Sequence, residues 1–173
     1  MIMSENVYKI RRAFLIPIIA IVVLLFLLFV ISLFNGNIGE IVVLAILFFV
    51  SLGIGVEMAK REIVINDQGL KIKKAFRRKE FGWAEITHLG VVALKKKVYF
   101  LLTTTKGFYI FSNLLENHAL LIRSLMNRLG EEKVELEVKN YLDHPLERIS
   151  MIVMSWVAVL VIIAVIILKV SGV

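Results

Sequence analysis

The chain has 173 residues, 59% of them hydrophobic, a mean hydropathy of +0.85, and 21 Lys and Arg against 14 Asp and Glu for a net charge of +7. Soluble domains are roughly half apolar, so this composition excludes an ordinary water-soluble fold. The absence of cysteine excludes disulfides and thiolate metal sites.

Lys9, Arg11 and Arg12 precede an uncharged apolar run at 13–39. A secretory h-region covers about 7 to 15 residues and ends in small residues. This run is longer and passes through Ser32, Leu33, Phe34 and Asn35 without an Ala-x-Ala pattern, so it is expected to stay as a permanent anchor. Crossing the hydrocarbon takes about 20 apolar residues, which predicts a first span at 13–34. A second span at 38–59 places Glu40 and Glu57 near the interfaces, and a third at 148–169 starts at Arg148. The loop Asn35-Gly36-Asn37 carries no cation, whereas Lys60 and Arg61 follow the second span. The positive-inside rule therefore puts residues 1–12 and the middle of the chain in the cytoplasm and the C-terminus outside, with only Lys169 opposed.

The middle domain, 60–130, changes period repeatedly. Ile63 and Ile65 lead into the turn signal Asn66-Asp67-Gln68-Gly69, and Leu70 and Ile72 alternate with Lys71 and Lys73, which predicts a hairpin with one buried face. Runs at 79–83, 87–94, 98–104 and 108–112, rich in β-branched and aromatic residues, bring the meander to six strands. Leu114, His118, Leu121, Ile122, Leu125 and Leu129 then recur every three or four residues, with Asn113 as N-cap and Gly130 as stop, giving a closing helix at 113–130. Such a helix needs an apolar surface, which a curled antiparallel sheet supplies. The connector 131–147 fits two patterns: Val134, Leu136 and Val138 keep a strand period, whereas Val134, Val138, Tyr141 and Leu142 keep a helical one.

A helical hairpin, a strand pair with Asp67-Gln68-Gly69-Leu70, then Gly82-Trp83-Ala84-Glu85-Ile86, further strands and a closing helix together resemble the bacterial pleckstrin-homology-like membrane proteins. The resemblance covers residues 14–130, and the Trp-x-acidic-Ile element with the preceding turn is its most specific part. It implies an α+β membrane protein: a transmembrane helical hairpin, then a small, partly open β-barrel or sandwich plugged by a C-terminal helix, here followed by a third transmembrane helix. It also implies a bacterial inner membrane and no enzymatic activity. Six strands rather than the seven of a full pleckstrin-homology fold, and the third span, depart from the pattern.

Charge is uneven within the domain. Residues 60–106 carry 12 Lys and Arg against 4 Asp and Glu, whereas 113–147 carry 4 against 7. In a meander alternate turns lie at one end, so the turns at Arg77-Arg78-Lys79 and Lys95-Lys96-Lys97 return to the end where Lys60 and Arg61 leave the membrane. These eight residues make a lipid-facing basic patch, each cation contributing about 1 kcal/mol at an anionic leaflet. The plainer reading of the same residues is positive-inside determinants and solvated loop charges. Nucleic acid is not an expected partner, since a surface pressed on a bilayer suits no duplex.

Catalytic, metal and cofactor sites find no support. His88, His118 and His144 are far apart without a nucleophile or ligand partner at a recognisable spacing. Trp83 reads as a core residue whose N–H meets a carbonyl, and Glu85 as solvent-facing. Ser51, Gly53 and Gly55 suit close helix packing. With Glu40 at an interface the spans hold no interior titratable residue, which disfavours a transporter or channel. Three readings of function remain. One is a non-enzymatic, membrane-anchored module that presents its β domain to a protein or peptide partner. Another is a structural subunit assembling with copies of itself or with other membrane proteins. The third is recognition of anionic lipid headgroups by the basic turns.

Overall fold

The computed structural model describes residues 5–94, 97–143 and 149–171. In chain order the elements are β1 (Asn6–Lys9), α1 (Arg12–Asn35), α2 (Ile38–Ala59), β2 (Glu62–Asn66), β3 (Gly69–Lys73) and β4 (Arg78–Gly82). A 3-10 turn at Trp83–Glu85 leads to β5 (Ile86–Leu94), β6 (Lys97–Thr104), β7 (Gly107–Ser112), α3 (His118–Leu129), α4 (Leu136–Asp143) and α5 (Ile149–Val170). They form two compact units, one from α1, α2 and α5 and one from the strands with α3 and α4.

In the helical unit, α1 with 24 residues rises about 36 Å, and α2 and α5 with 22 each rise about 33 Å. Each is long and apolar enough to cross a hydrocarbon layer of about 30 Å. Helix is the backbone state that satisfies every N–H and C=O internally in lipid. Most of their side chains, Phe49, Met154 and Leu160 among them, point outward, while Leu25, Leu28, Leu44 and Val159 are buried. The chain is thus an integral membrane protein that carries a mixed α+β domain.

That domain contains two antiparallel sheets, ordered β1-β2-β3-β4 and β5-β6-β7. Among the described residues the strand count is seven, one more than the sequence reading expects. The extra strand is β1, which lies ahead of the first span and pairs with β2 from Asn6↔Ile65 to Lys9↔Glu62. Only Tyr8 of its four residues is buried, so the segment carries no periodic signal of its own. The helical hairpin is therefore an insertion between two paired strands. Ile63, Val64, Leu70 and Ile72 of the first sheet, Leu89, Phe100, Leu102 and Phe111 of the second, and Leu121, Ile122 and Leu125 of α3 make the core.

Two segments depart from the expected pattern because sheet margins capture them. Residues 113–117 stay out of the closing helix: Ile10 bridges Leu115, the Arg11 N–H donates to the Leu114 carbonyl at 3.1 Å, and the Glu116 N–H donates to that of Lys9 at 2.8 Å. Asn117 then turns through the left-handed region at φ 52°, and α3 begins one residue later. The connector uses both of its patterns in succession. Val134 forms a parallel bridge with Leu89, the Glu135 N–H donates to the Leu89 carbonyl at 3.0 Å, and α4 follows with Val138 and Tyr141 buried and Leu136 67% exposed. The Lys9 end of β1 and the Leu89 region of β5 are thus met by the chain itself, and β4 and β7 are the other outer strands.

Candidate functional site

Side chains alternate across a strand, and in the β3–β4 hairpin that alternation sorts the cations. Leu70, Ile72 and Phe81 face the core, and Lys79 is the register partner of Ile72, so it shares their face. Lys74 continues the phase of Leu70 and Ile72. On the opposite phase, Lys71 pairs with Glu80 at 3.6 Å and Lys73 with Glu62 at 2.6 Å. The turn between the strands is closed by the Lys74 N–H, which donates to the Arg77 carbonyl at 2.8 Å.

Lys74, Arg77 and Lys79 line an open cleft of about 300 Å³ together with Phe108, Tyr109 and Ile110 of β7. The ammonium groups of Lys74 and Lys79 stand 5.3 and 5.8 Å from the centroid of the Tyr109 ring, inside cation–π range. Phe81 meets that ring edge-on at 6.1 Å and supports it from the core. Among the described residues none of the three cations is ion-paired with a carboxylate. Phe108 is 72% exposed, Ile110 55% and Phe76, in the turn itself, 91%.

Of the basic patch expected from sequence, the cleft brings together Arg77 and Lys79. Arg78 opens β4 as the register partner of Lys73, on the other face. Lys60 caps α2, its N–H donating to Val56 and Met58 carbonyls, and Arg61 is half-buried ahead of β2. Lys95 and Lys96 lie outside the described residues, as do His144 and Arg148, and Lys97 is placed only by its pairing with Leu94. Lys74, Phe108 and Tyr109 were not singled out by the charge runs. The phase of Leu70 and Ile72, extended by one more step, would have found Lys74.

The Asp-x-Gly-Leu turn and the Trp-x-acidic-Ile element meet and serve structure. Asn66 Oδ1 accepts the Gln68 and Gly69 N–H groups at 3.0 and 2.9 Å, and Trp83 Nε1 donates to the Asn66 carbonyl at 3.2 Å. A Cβ at Gly69 would collide with the Phe81 carbonyl, so the turn requires glycine there. Arg128 of α3 pairs with Asp67 at 2.6 Å and lies 6.0 Å from the Trp83 ring. Glu85 accepts the Gly82 N–H at 3.0 Å and pairs with Lys106 at 2.5 Å, and these two, Lys106 foremost, hold its carboxyl below the usual carboxylate range.

His88 Nε2 lies 2.8 Å from Glu135, and His118 packs beside the Tyr141 ring at 6.0 Å. Among the described residues no three or more His, Asp or Glu come together as a metal site. No family model, curated protein or solved structure matches the chain.

Proposed function

We propose that the chain is a membrane-anchored, non-enzymatic binding module of the pleckstrin-homology-like type, with its β domain in the cytoplasm at a bacterial inner membrane, and that it takes its ligand in the cleft between β4 and β7. The cleft carries this reading: it is the place where the sheets present cations in a core-facing phase beside exposed aromatic and aliphatic side chains. A sheet of four, a sheet of three and a helix packed into the core support the fold assignment, with β1 supplying the strand the sequence lacked.

Pairing of β1 with β2 joins the two flanks of the α1–α2 hairpin in one sheet, which supports a single side of the membrane for both. Lys9, Arg11, Arg12, Lys60 and Arg61 belong to those flanks, which supports a cytoplasmic side for both. A peptide partner adding a strand would do so along β4 or β7, because the β1 and β5 margins already hold residues 114–116 and 134–135 over part of their length. Photo-crosslinking residues placed at Phe108 and at Leu120, an exposed position of α3, test the assignment in the full chain in its native membrane. Adducts at 108 and none at 120 are expected; equal labelling at both would remove the cleft as the binding site.

A further inference from the structure

The geometry points to an anionic phospholipid as the ligand of this cleft, its phosphate held by Lys74, Arg77 and Lys79 and its apolar part set against Phe108, Ile110 and Phe76. The inference rests on the binding-module reading and names that module's ligand.

The first ground is the phase of the cations. Positions that share a face with Leu70, Ile72 and Phe81 are apolar where the core continues. Placing three cations, Lys74 half-buried and Arg77 and Lys79 exposed, at the end of that face brings like charges together, and an entering anion relieves their repulsion. Surface basicity in general does not account for it, because Lys71 and Lys73 on the other face of the same hairpin already have Glu80 and Glu62. The second ground is chemical. A guanidinium and two ammonium groups suit the several oxygens of a phosphate, and about 300 Å³ lies at the lower end of small-ligand sites.

The third ground separates a phospholipid from a soluble phosphate. Phe76, Phe108 and Ile110 stand out into solvent around the cations, an association of aromatic and basic side chains that suits the bilayer interface. The fourth is connectivity. Lys9, Glu62, Lys73 and Arg78 form one cross-strand row. From Lys9 the chain enters α1 within three residues, and it leaves α2 three residues before Glu62. The 74–77 turn lies just past that row, at the end of the sheet where the chain passes from Lys9 to α1 and returns from α2.

The test uses the full chain in nanodiscs of phosphatidylcholine with or without phosphatidylglycerol, and native mass spectrometry of retained lipid. Three forms are compared: the natural chain, K74Q/R77Q/K79Q, and K71Q/K73Q/R78Q, which removes as many charges from the opposite face. The inner-face variant is expected to lose phosphatidylglycerol affinity roughly a hundredfold, each cation contributing a factor of about five, while the opposite-face variant stays close to the natural chain. F76S, at an exposed site, is expected to weaken retention without altering charge. Equal loss in both charge variants would show diffuse attraction and overturn the proposal. Displacement of the lipid by glycerol 3-phosphate at equal concentration would assign the site to soluble phosphates instead. A polypeptide captured at position 108 with no phosphatidylglycerol retained would overturn the lipid and leave the module standing. No adduct and no lipid would remove both.

Discussion

Glu135 joins the segment ahead of α4 to β5 by both its backbone and its side chain. Its N–H donates to the Leu89 carbonyl, and its carboxylate accepts the Val91 N–H at 3.2 Å and meets His88 at 2.8 Å. The approach is close enough that a Cβ on Gly90 would stand 2.6 Å from a carboxylate oxygen, so glycine makes room for the acid. The hydrogen bond with His88, then that with Val91, holds the Glu135 carboxyl below its ordinary range against the opposing effect of burial. An acid with a lowered folded pKa stabilises the fold above its unfolded value of about 4.3, and that contribution is lost as pH falls through the folded value. The melting-temperature gap between the natural chain and E135Q should therefore be full at pH 7 and close at pH below about 4; a gap independent of pH would show that the carboxylate is not the group responsible. Trp83 makes a second residue-level case. W83F keeps an aromatic side chain but loses the N–H bond to the Asn66 carbonyl, so it should cost at least about 1 kcal/mol in denaturant unfolding.

At the scale of elements, α4 shows how one stretch resolves two periodicities. Val134 is held in strand geometry by Leu89, and after Glu135 the chain turns helical, which takes Leu136 out of the core and puts Val138 and Tyr141 into it. V138A should therefore cost about 2 kcal/mol, two buried methyls and the cavity they leave. L136A should change stability by less than about 0.5 kcal/mol. Comparable losses at both would restore the strand phase. α3 makes the complementary point: Asn113 and Leu114 satisfy helix-start rules, yet the margin of the N-terminal segment takes residues 114–116 first. Pairing with a neighbouring segment satisfies backbone groups that a fraying first helical turn would leave to water.

At the scale of the whole molecule, the three membrane helices are pinned at one end of their unit by a polar cluster. Ser32 of α1 donates to Glu40 of α2 at 2.9 Å, Lys169 of α5 donates to Ser32 at 2.8 Å, and Lys169 and Glu40 form an ion pair. Lys169, which opposes the positive-inside pattern when read alone, here meets the charge of Glu40. E40Q alone and K169M alone should each lower the melting temperature of the full chain in nanodiscs, and E40Q/K169M together should recover part of the loss. Additive losses would show that the two residues act independently.

How much of this was legible in sequence depended on how local the signal was. The three apolar stretches, the β2–β3 hairpin with its Asn66 turn, and the apolar stripe of α3 are written in adjacent residues, because membrane crossing, strand alternation and helical period are all set over one or two turns of chain. The Trp83 N–H did find a carbonyl, as an amphipathic ring at a strand end requires, but Glu85, read as solvent-facing, serves to hold Gly82 and Lys106. β1 was not legible: its partner lies beyond an inserted helical hairpin, and four residues with one buried side chain carry too little periodicity to declare a strand. The cleft was half legible. Charge runs marked Arg77 and Lys79, whereas Lys74 and Tyr109 join them only because the two sheets bring β7 beside the 74–77 turn. The sequence alone determined that this protein lives in a membrane and carries a charged α+β domain, since those follow from local hydropathy and period. Only the tertiary structure decided which segments close the sheets, where α3 begins and which cations converge, because each of these is a choice among distant partners that no single stretch of chain can make.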